Sequence, residues 1–289
     1  MKHLTSILKL IRPGHWVKSL FVMMPLFFAG QFQDQIRLVD TVFAMIAFSL
    51  VASAVYVIND MKDVEADRKH PEKKNRPIAA RVIKPGVAGL ISIGLLASAI
   101  SVALTVSQEV AIGIGLYFLM SLAYTLGLKK VSILDVSIIA LGFVMRVVVG
   151  GLAADVHISH WIIIDTFLLA LILALSKRRA ELNLHGQNVE VRKSLKNYSE
   201  GFLDLSLILF SGVTIVSYIM YCVSDEVMNR LESDLVYLTS IFVMLGLMRY
   251  LQQVIVVKST KSPVKMLFDD RFLLIVVLAW ATSFVFILY

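Results

Sequence analysis

Apolar runs recur along the whole chain, separated by short polar stretches. They fall at about 17–32, 40–59, 86–107, 110–128, 134–154, 161–176, 202–223, 235–257 and 271–289. A helix needs roughly 20 residues to cross the hydrocarbon of a bilayer. Several runs carry no charge over most of their length, among them 41–58, 110–128, 205–224 and 272–289. The pattern predicts an all-α, polytopic membrane protein built as a bundle of nine transmembrane helices. Pro25 inside the first run predicts a kink, which a membrane helix tolerates when its neighbours re-satisfy the backbone. No linker, repeat or low-complexity stretch interrupts the pattern, so a single domain over 1–289 is expected.

The polar stretches differ sharply in charge. Of the 28 Lys and Arg residues, all but four lie in one alternate set: the N-terminal stretch, 60–85, 129–130, 176–204 and 258–271. Arg37 and Arg230 lie in the opposite loops, and Arg146 and Arg249 fall inside apolar runs. Cytoplasmic loops carry the excess of Lys and Arg. This rule puts the N-terminus inside and, after nine crossings, Tyr289 outside, with the inner (cytoplasmic) membrane as the expected location. The long loops 60–84 and 176–204 share the cytoplasmic side, whereas those at 107–109 and 155–160 are short. A polar cytoplasmic cap carrying the active site is therefore expected.

Composition agrees: 58% of residues are hydrophobic and 17% charged, against about a quarter charged in soluble domains. The net charge of +7 suits anionic lipid headgroups or an anionic soluble substrate; nucleic acid is not an expected partner, and a homo-oligomer is left open. Residues 1–16 are basic but lack the apolar core and cleavage site of a removable signal peptide. The single cysteine, Cys222, lies within an apolar run, which excludes an internal disulfide and suggests a packing role.

The most chemically suggestive stretch is Asn59-Asp60-Met61-Lys62-Asp63-Val64-Glu65-Ala66-Asp67, directly after the second run. On a continuous helix Asp60, Asp63 and Asp67 share one face. Stacked carboxylates repel one another, and more strongly where charge is poorly solvated at a membrane boundary. A divalent cation relieves this, and hard oxygen donors suit Mg²⁺. The plainer alternative is a solvated interfacial helix in which Lys62 and Arg68 neutralise the acids. Arg146, midway along the fifth run, should meet a phosphate or an acid network, or else form a buried structural pair. Asp135 is a poor partner for it, eleven residues earlier. Arg249 is nearer a run end and placed to snorkel. Asp165 reads as interfacial, and His157 and His160 as loop residues on the side away from the acids. Trp16 and Tyr124 are either aromatic-belt residues or substrate contacts.

The order Asn59-Asp60-x-x-Asp63-x-x-x-Asp67 after the second run, continued by Asn75-Arg76-Pro77-Ile78-Ala79-Ala80, resembles the first aspartate-rich motif of the UbiA superfamily of intramembrane prenyltransferases. Arg81 stands where that family usually has Gly. The second aspartate-rich motif of typical members is replaced by Ser176-Lys177-Arg178-Arg179-Ala180-Glu181-Leu182. That change resembles the polyprenyl-phosphate phosphoribosyltransferase branch. So do Arg12-Pro13-Gly14-His15-Trp16-Val17-Lys18, with Ser19 in place of an expected Asn, Tyr124-Thr125-Leu126-Gly127-Leu128-Lys129-Lys130, Asp135, and Gly142-Phe143-x-x-Arg146.

The resemblance implies a Mg²⁺-dependent transfer of phosphoribose from phosphoribosyl diphosphate to a polyprenyl phosphate lipid, releasing diphosphate. It implies catalytic and metal-binding roles for Asp60, Asp63 and Asp67, with Asp67 on either a second metal or a ribose hydroxyl. It implies substrate-binding roles for Lys18, Asn59, Arg76, Tyr124, Lys129, Lys130, Asp135, Arg146, Lys177, Arg178, Arg179 and Glu181, with Glu181 steadying Lys177 one turn away. Basic residues in the second motif would bind phosphate directly. Two other readings stand beside this one. The first is prenyl transfer from a prenyl diphosphate to an aromatic or other small acceptor, which the basic second motif disfavours. The second is a cation-coupled transporter, which the placement of the acids at a boundary rather than the midplane disfavours.

Overall fold

The computed structural model describes residues 2–70, 73–185, 193–231, 233–261 and 263–288. Part of the basic loop, 186–192, lies outside them, as does Glu72 of the acid-rich loop. All regular structure among the described residues is helical, and it forms two compact units, Met1–Ile158 and Ser159–Tyr289.

The first unit begins with α1 (Lys2–Ile11), a 3₁₀ stretch (Pro13–Met23) and the short α2 (Met24–Phe28). It continues with α3 (Gln35–Lys62), α4 (Val64–Lys69), α5 (Pro85–Val106), α6 (Gln108–Leu126) and α7 (Leu134–Ala154). Asp34 starts α3 by accepting from the backbone N–H groups of Ile36 and Arg37 at 3.0 and 3.2 Å, and Ser107 starts α6 by accepting from Val110 N–H. Such caps satisfy the unpaired donors of a first helical turn.

α3 is the pillar of this unit. Its Ala44, Ala47, Phe48, Val51 and Ala52 pack with Ala99 and Ala103 of α5, Ile114 and Tyr117 of α6, and Val149 and Ala153 of α7. Small residues let α3 and α5 approach closely enough for Ser92 Oγ to donate to the Ala54 carbonyl across the pair. A second cluster of Leu10, Val57, Ile78, Ile83 and Ala88 sits nearer the acid end of α3.

The second unit holds α8 (His160–His185), α9 (Glu200–Cys222), α10 (Asp225–Leu231), α11 (Ser240–Leu251), α12 (Pro263–Asp269) and α13 (Arg271–Leu288). α11 enters through a 3₁₀ turn and leaves through a π-turn at Gln252–Val256. Trp280 Nε1 donates to the Tyr218 hydroxyl, which is 2.8 Å from Thr239 Oγ1 and so ties three apolar segments together.

Among the described residues, seven helical segments are long and apolar enough to cross a membrane: Gln35–Lys62, Pro85–Val106, Gln108–Leu126, Leu134–Ala154, His160–Asn183, Glu200–Cys222 and Val236–Val256. Arg271–Ile287 is a shorter apolar helix. The expected first helix, 17–32, is instead the 3₁₀ stretch followed by α2 and a turn through Gly30 at φ 67°. The expected sixth helix, 161–176, is part of a longer one that carries Lys177, Arg178 and Arg179 within it.

The irregular first segment is held by close backbone packing. A Cβ on Gly150 of α7 would lie 1.9 Å from the Val22 carbonyl oxygen, so only glycine lets the 3₁₀ stretch dock on α7. Arg12, at the entry to this stretch, takes left-handed dihedrals (φ 58°, ψ 59°). Arg81 also lies in the left-handed region, at φ 60°, where a glycine would carry no Cβ penalty.

Candidate active site

At the end of α3, three acids meet three cations that arrive from three other segments. Asp60 is 2% exposed. Its two oxygens accept from Arg12 Nη2 at 2.7 and 2.8 Å, and Oδ1 also accepts from Arg76 Nη1 at 2.9 Å. The same Arg76 nitrogen donates to Asp67 Oδ2 at 2.7 Å. Lys129 Nζ, in the turn between α6 and α7, donates to both oxygens of Asp63 at 2.6 and 2.7 Å and to Asn59 Oδ1 at 3.0 Å.

The expectation that Asp60, Asp63 and Asp67 line one continuous helical face needs correction. α3 ends at Lys62, and Asp63 has φ −95° and ψ 9°, outside the helical region. The chain bends there and restarts as α4. Asp60 and Asp67 converge on Arg76, while Asp63 turns towards Lys129. Neutralisation by Lys62 and Arg68 is not what the structure shows either: Arg68 pairs with exposed Glu65 at 2.7 Å, and the acids take Arg12, Arg76 and Lys129.

Arg12 and the 3₁₀ stretch lie along one face of α3. The Arg12 guanidinium sits 5.2 Å from the Tyr56 ring centroid, His15 meets the same ring edge-on, and Trp16 Nε1 donates to Ser53 Oγ at 3.0 Å. Trp16 thus has a specific polar contact within the bundle. Tyr124 is half-buried on α6, Lys130 is exposed beside Lys129, and Asp135 is fully buried in the first turn of α7. Ile133, just before α7, has φ 69° and ψ −51°, a strained conformation for a β-branched residue. Arg146 is 4% exposed, and Lys18 is half-buried.

The basic motif belongs to the second unit. Lys177 is exposed, whereas Arg178 and Arg179 point inward, 1% and 2% exposed. Arg178 Nη1 donates to Glu181 Oε2 at 2.7 Å. Arg179 donates to Asp204 Oδ1 at 2.8 Å and to Asn183 Oδ1 at 2.5 Å, and lies 3.3 Å from Glu200. Glu181 thus pairs with Arg178, three residues earlier on the same helix. A buried guanidinium in a membrane helix needs an anion, and these acids supply it.

No group of three or more acids, histidines or cysteines is gathered to hold a metal among the described residues. The donor chemistry still fits a hard cation. One nitrogen of Arg76 stands within 2.9 Å of a carboxylate oxygen from each of Asp60 and Asp67, so two acids from separate helices already converge on one positive charge. Oxygen donors of this kind are what Mg²⁺ takes. A concave surface of about 400 Å³ lined by Asp40, Glu109 and Asp155 lies at the opposite end of α3, away from this cluster.

A bundle of apolar helices with a buried, charge-rich site at a helix end defines an integral membrane protein with polar chemistry at the edge of its spanning region. The sequence profile of the UbiA prenyltransferase family matches residues 19–190. Decaprenyl-phosphate phosphoribosyltransferase of Mycolicibacterium smegmatis is 34% identical over 294 residues, covering 96% of this chain and 91% of the relative. The enzyme of that name from Corynebacterium glutamicum is 34% identical over 221 residues, 75% of this chain and 67% of the relative. Among solved structures, a UbiA homolog from Archaeoglobus fulgidus bound to GPP and Mg²⁺ matches with a TM-score of 0.72 at 19% identity, over 96% of this chain and 99% of that one. The chain belongs to the UbiA prenyltransferase family.

Proposed function

We propose that the chain transfers phosphoribose from phosphoribosyl diphosphate to a polyprenyl phosphate, giving polyprenyl-phosphoryl phosphoribose and diphosphate. The observation that carries this reading is the interleaving of Asp60, Asp63 and Asp67 with Arg12, Arg76 and Lys129. A diphosphate leaving group held through a metal needs both signs of charge at one place. The names and extents of the curated relatives support the same reaction.

In this scheme the bond from ribose C1 to the diphosphate oxygen breaks, its electron pair leaves with diphosphate, and a lipid phosphate oxygen bonds to C1. The lipid phosphate is already an anion, so no strong general base is required. Catalysis is then positioning plus electrostatic stabilisation. Arg12, Arg76 and Lys129 turn from the acids to the incoming diphosphate and orient it. Asp60, Asp63 and Asp67 are the residues that would hold Mg²⁺, which supplies charge stabilisation to the departing diphosphate. Asn59 shares Lys129 with Asp63 and steadies it. Lys130, Tyr124 and Asp135 flank the same end of α6 and α7 and complete the substrate pocket. Lys177, the outward member of the basic motif, is the residue there best placed to meet a phosphate, with Arg178, Arg179 and Glu181 framing its helix.

The proposal includes nine membrane crossings in a single catalytic domain, with the first crossing made by the 3₁₀ stretch and α2, an N-terminus in the cytoplasm and the charge cluster forming part of a cytoplasmic cap of the inner membrane. The test is a transfer assay on purified protein with labelled phosphoribosyl diphosphate and polyprenyl phosphate, with and without Mg²⁺. Label should move to the lipid only when the metal is present. Transfer of a prenyl group from a prenyl diphosphate to a small acceptor, with no phosphoribosyl transfer, would overturn the reading.

A further inference from the structure

Arg146 is a buried cation in the first unit with no acid to balance it. Its Nη1 donates to the Gly142 carbonyl at 2.6 Å, its Nη2 to the Tyr117 hydroxyl at 3.4 Å, and its Nε has no partner. Three aromatic rings surround the guanidinium, with the centroids of Phe48, Tyr117 and Phe143 at 4.7, 5.3 and 5.2 Å. Aromatic faces offset part of the cost of an unsolvated cation, but they do not neutralise it.

A second cation lies on the segment packed beside it. Lys18 lies on the 3₁₀ stretch whose Phe21, three residues on, packs against Phe143 of α7 with ring centroids 5.0 Å apart, and Phe143 is one of the rings around Arg146. Among the described residues, no carboxylate forms an ion pair with either Lys18 or Arg146. Two like charges set together in an apolar bundle oppose folding unless an anion joins them. Every acid at the end of α3 is already taken by another cation.

The place is distinct from the acid cluster. Phe48 precedes Asp60 on α3 by about three turns, or roughly 18 Å of helix. Arg146 leans back along α7 towards Gly142, and so towards the end that carries Lys129. Along the 3₁₀ stretch Lys18 falls between Arg12, which pairs with Asp60, and Phe21, which packs on Phe143 beside Arg146.

We propose that Lys18, Arg146 and the Tyr117 hydroxyl form a binding site for a phosphate monoester, completed when a substrate's phosphate enters the bundle. The guanidinium offers the unused Nε and its Nη2 edge, the ammonium a second charge, and the phenol a neutral donor, a set that matches a tetrahedral dianion. This rests on the transferase reading, whose substrates supply the chemistry twice: the 5-phosphate of phosphoribosyl diphosphate and the phosphate of the polyprenyl lipid.

The test is direct binding of ribose 5-phosphate and of farnesyl phosphate to the purified full chain in detergent with EDTA present, so that metal at the acid cluster does not contribute. One of the two should bind, and which one does names the source of the phosphate. Lys18→Met and Arg146→Gln should each weaken that binding about tenfold or more, as expected on losing a charged hydrogen bond. Arg146→Lys, which keeps the charge, should retain more affinity than Arg146→Gln. Lys18 is half-exposed, and elution of Lys18→Met as a single monodisperse species shows that its loss of binding is not loss of fold. Binding of neither probe, or binding that survives both Lys18→Met and Arg146→Gln, overturns the site. If the transfer assay fails while probe binding shows this dependence, the proposed reaction falls and the phosphate site stands.

Discussion

Asp60 is almost inaccessible, yet it accepts hydrogen bonds from two guanidinium groups. Its removal takes the carboxylate from Arg12 and leaves Arg76 with Asp67. Asp60→Ala should lower turnover by about 10²–10³, the usual loss for one electrostatic contact in a preorganised site. Glu65, 77% exposed by its side chain and paired only with Arg68, is a surface ion pair of the kind contributing about 1 kcal/mol or less. Glu65→Ala should keep near-normal rates at limiting Mg²⁺, and equal losses in the two variants would remove the special place given to Asp60. Arg81 offers a stability test. A non-glycine residue in the left-handed region costs on the order of 1 kcal/mol, so Arg81→Gly should leave the thermal midpoint unchanged or raise it; a clear fall would mean the Arg81 side chain carries a contact of its own. The acids and Arg76 were legible in sequence because they lie within one short stretch. Arg12 is not legible as a site residue in sequence, because its partner lies 48 residues away and nothing in its neighbours announces a left-handed backbone. In Lys177-Arg178-Arg179, sequence says only that adjacent helical residues diverge; Arg178 meets Glu181 one turn on along α8, whereas the pairing of Arg179 with Asp204 depends on where α9 packs.

The apolar runs after the first located their helices because a continuous apolar run reports burial in lipid whatever it packs against. The first run misled for the converse reason. Its form is set by Gly150 on another helix, which admits the Val22 backbone, and no pattern within 17–32 encodes that. Gly150→Ala should therefore be disruptive out of proportion to one methyl group. The Val22 carbonyl has to move, and forced repacking of this kind typically costs about 1–3 kcal/mol. The variant should unfold at lower temperature in detergent, whereas Gly142→Ala, whose Cβ would meet Tyr117 and Arg146 at ordinary contact distances of 3.6 and 3.7 Å, should be nearly neutral. The bend at Asp63 is a second feature of this scale. The three acids were read as a helical stripe, but the break between α3 and α4 lets two of them share Arg76 and sends the third to Lys129.

At the scale of the molecule, nearly all the basic residues fall in one alternate set of polar stretches, and the acids at the end of α3 are answered by cations from three of those stretches. The topology this implies can be checked in a Cys222→Ser background with single cysteines at Lys74 and Lys196, both exposed. Both should react with an impermeant thiol reagent only from the cytoplasmic side, and labelling from opposite sides would overturn the arrangement. The 3₁₀ stretch also bears on biogenesis. A 3₁₀ run of eleven residues is unusually long, because its i→i+3 hydrogen bonds have poorer geometry than those of an α-helix, and here it is packed against α3 and α7. If this segment makes the proposed first crossing, its packing on α7 cannot form when it first leaves the ribosome. The contact has to wait until Gly150 has been made, so this packing forms out of the order of synthesis. Nascent chains stalled before α7 should leave a cysteine placed at Ser19 open to aqueous reagents, and chains stalled beyond Ile158 should bury it.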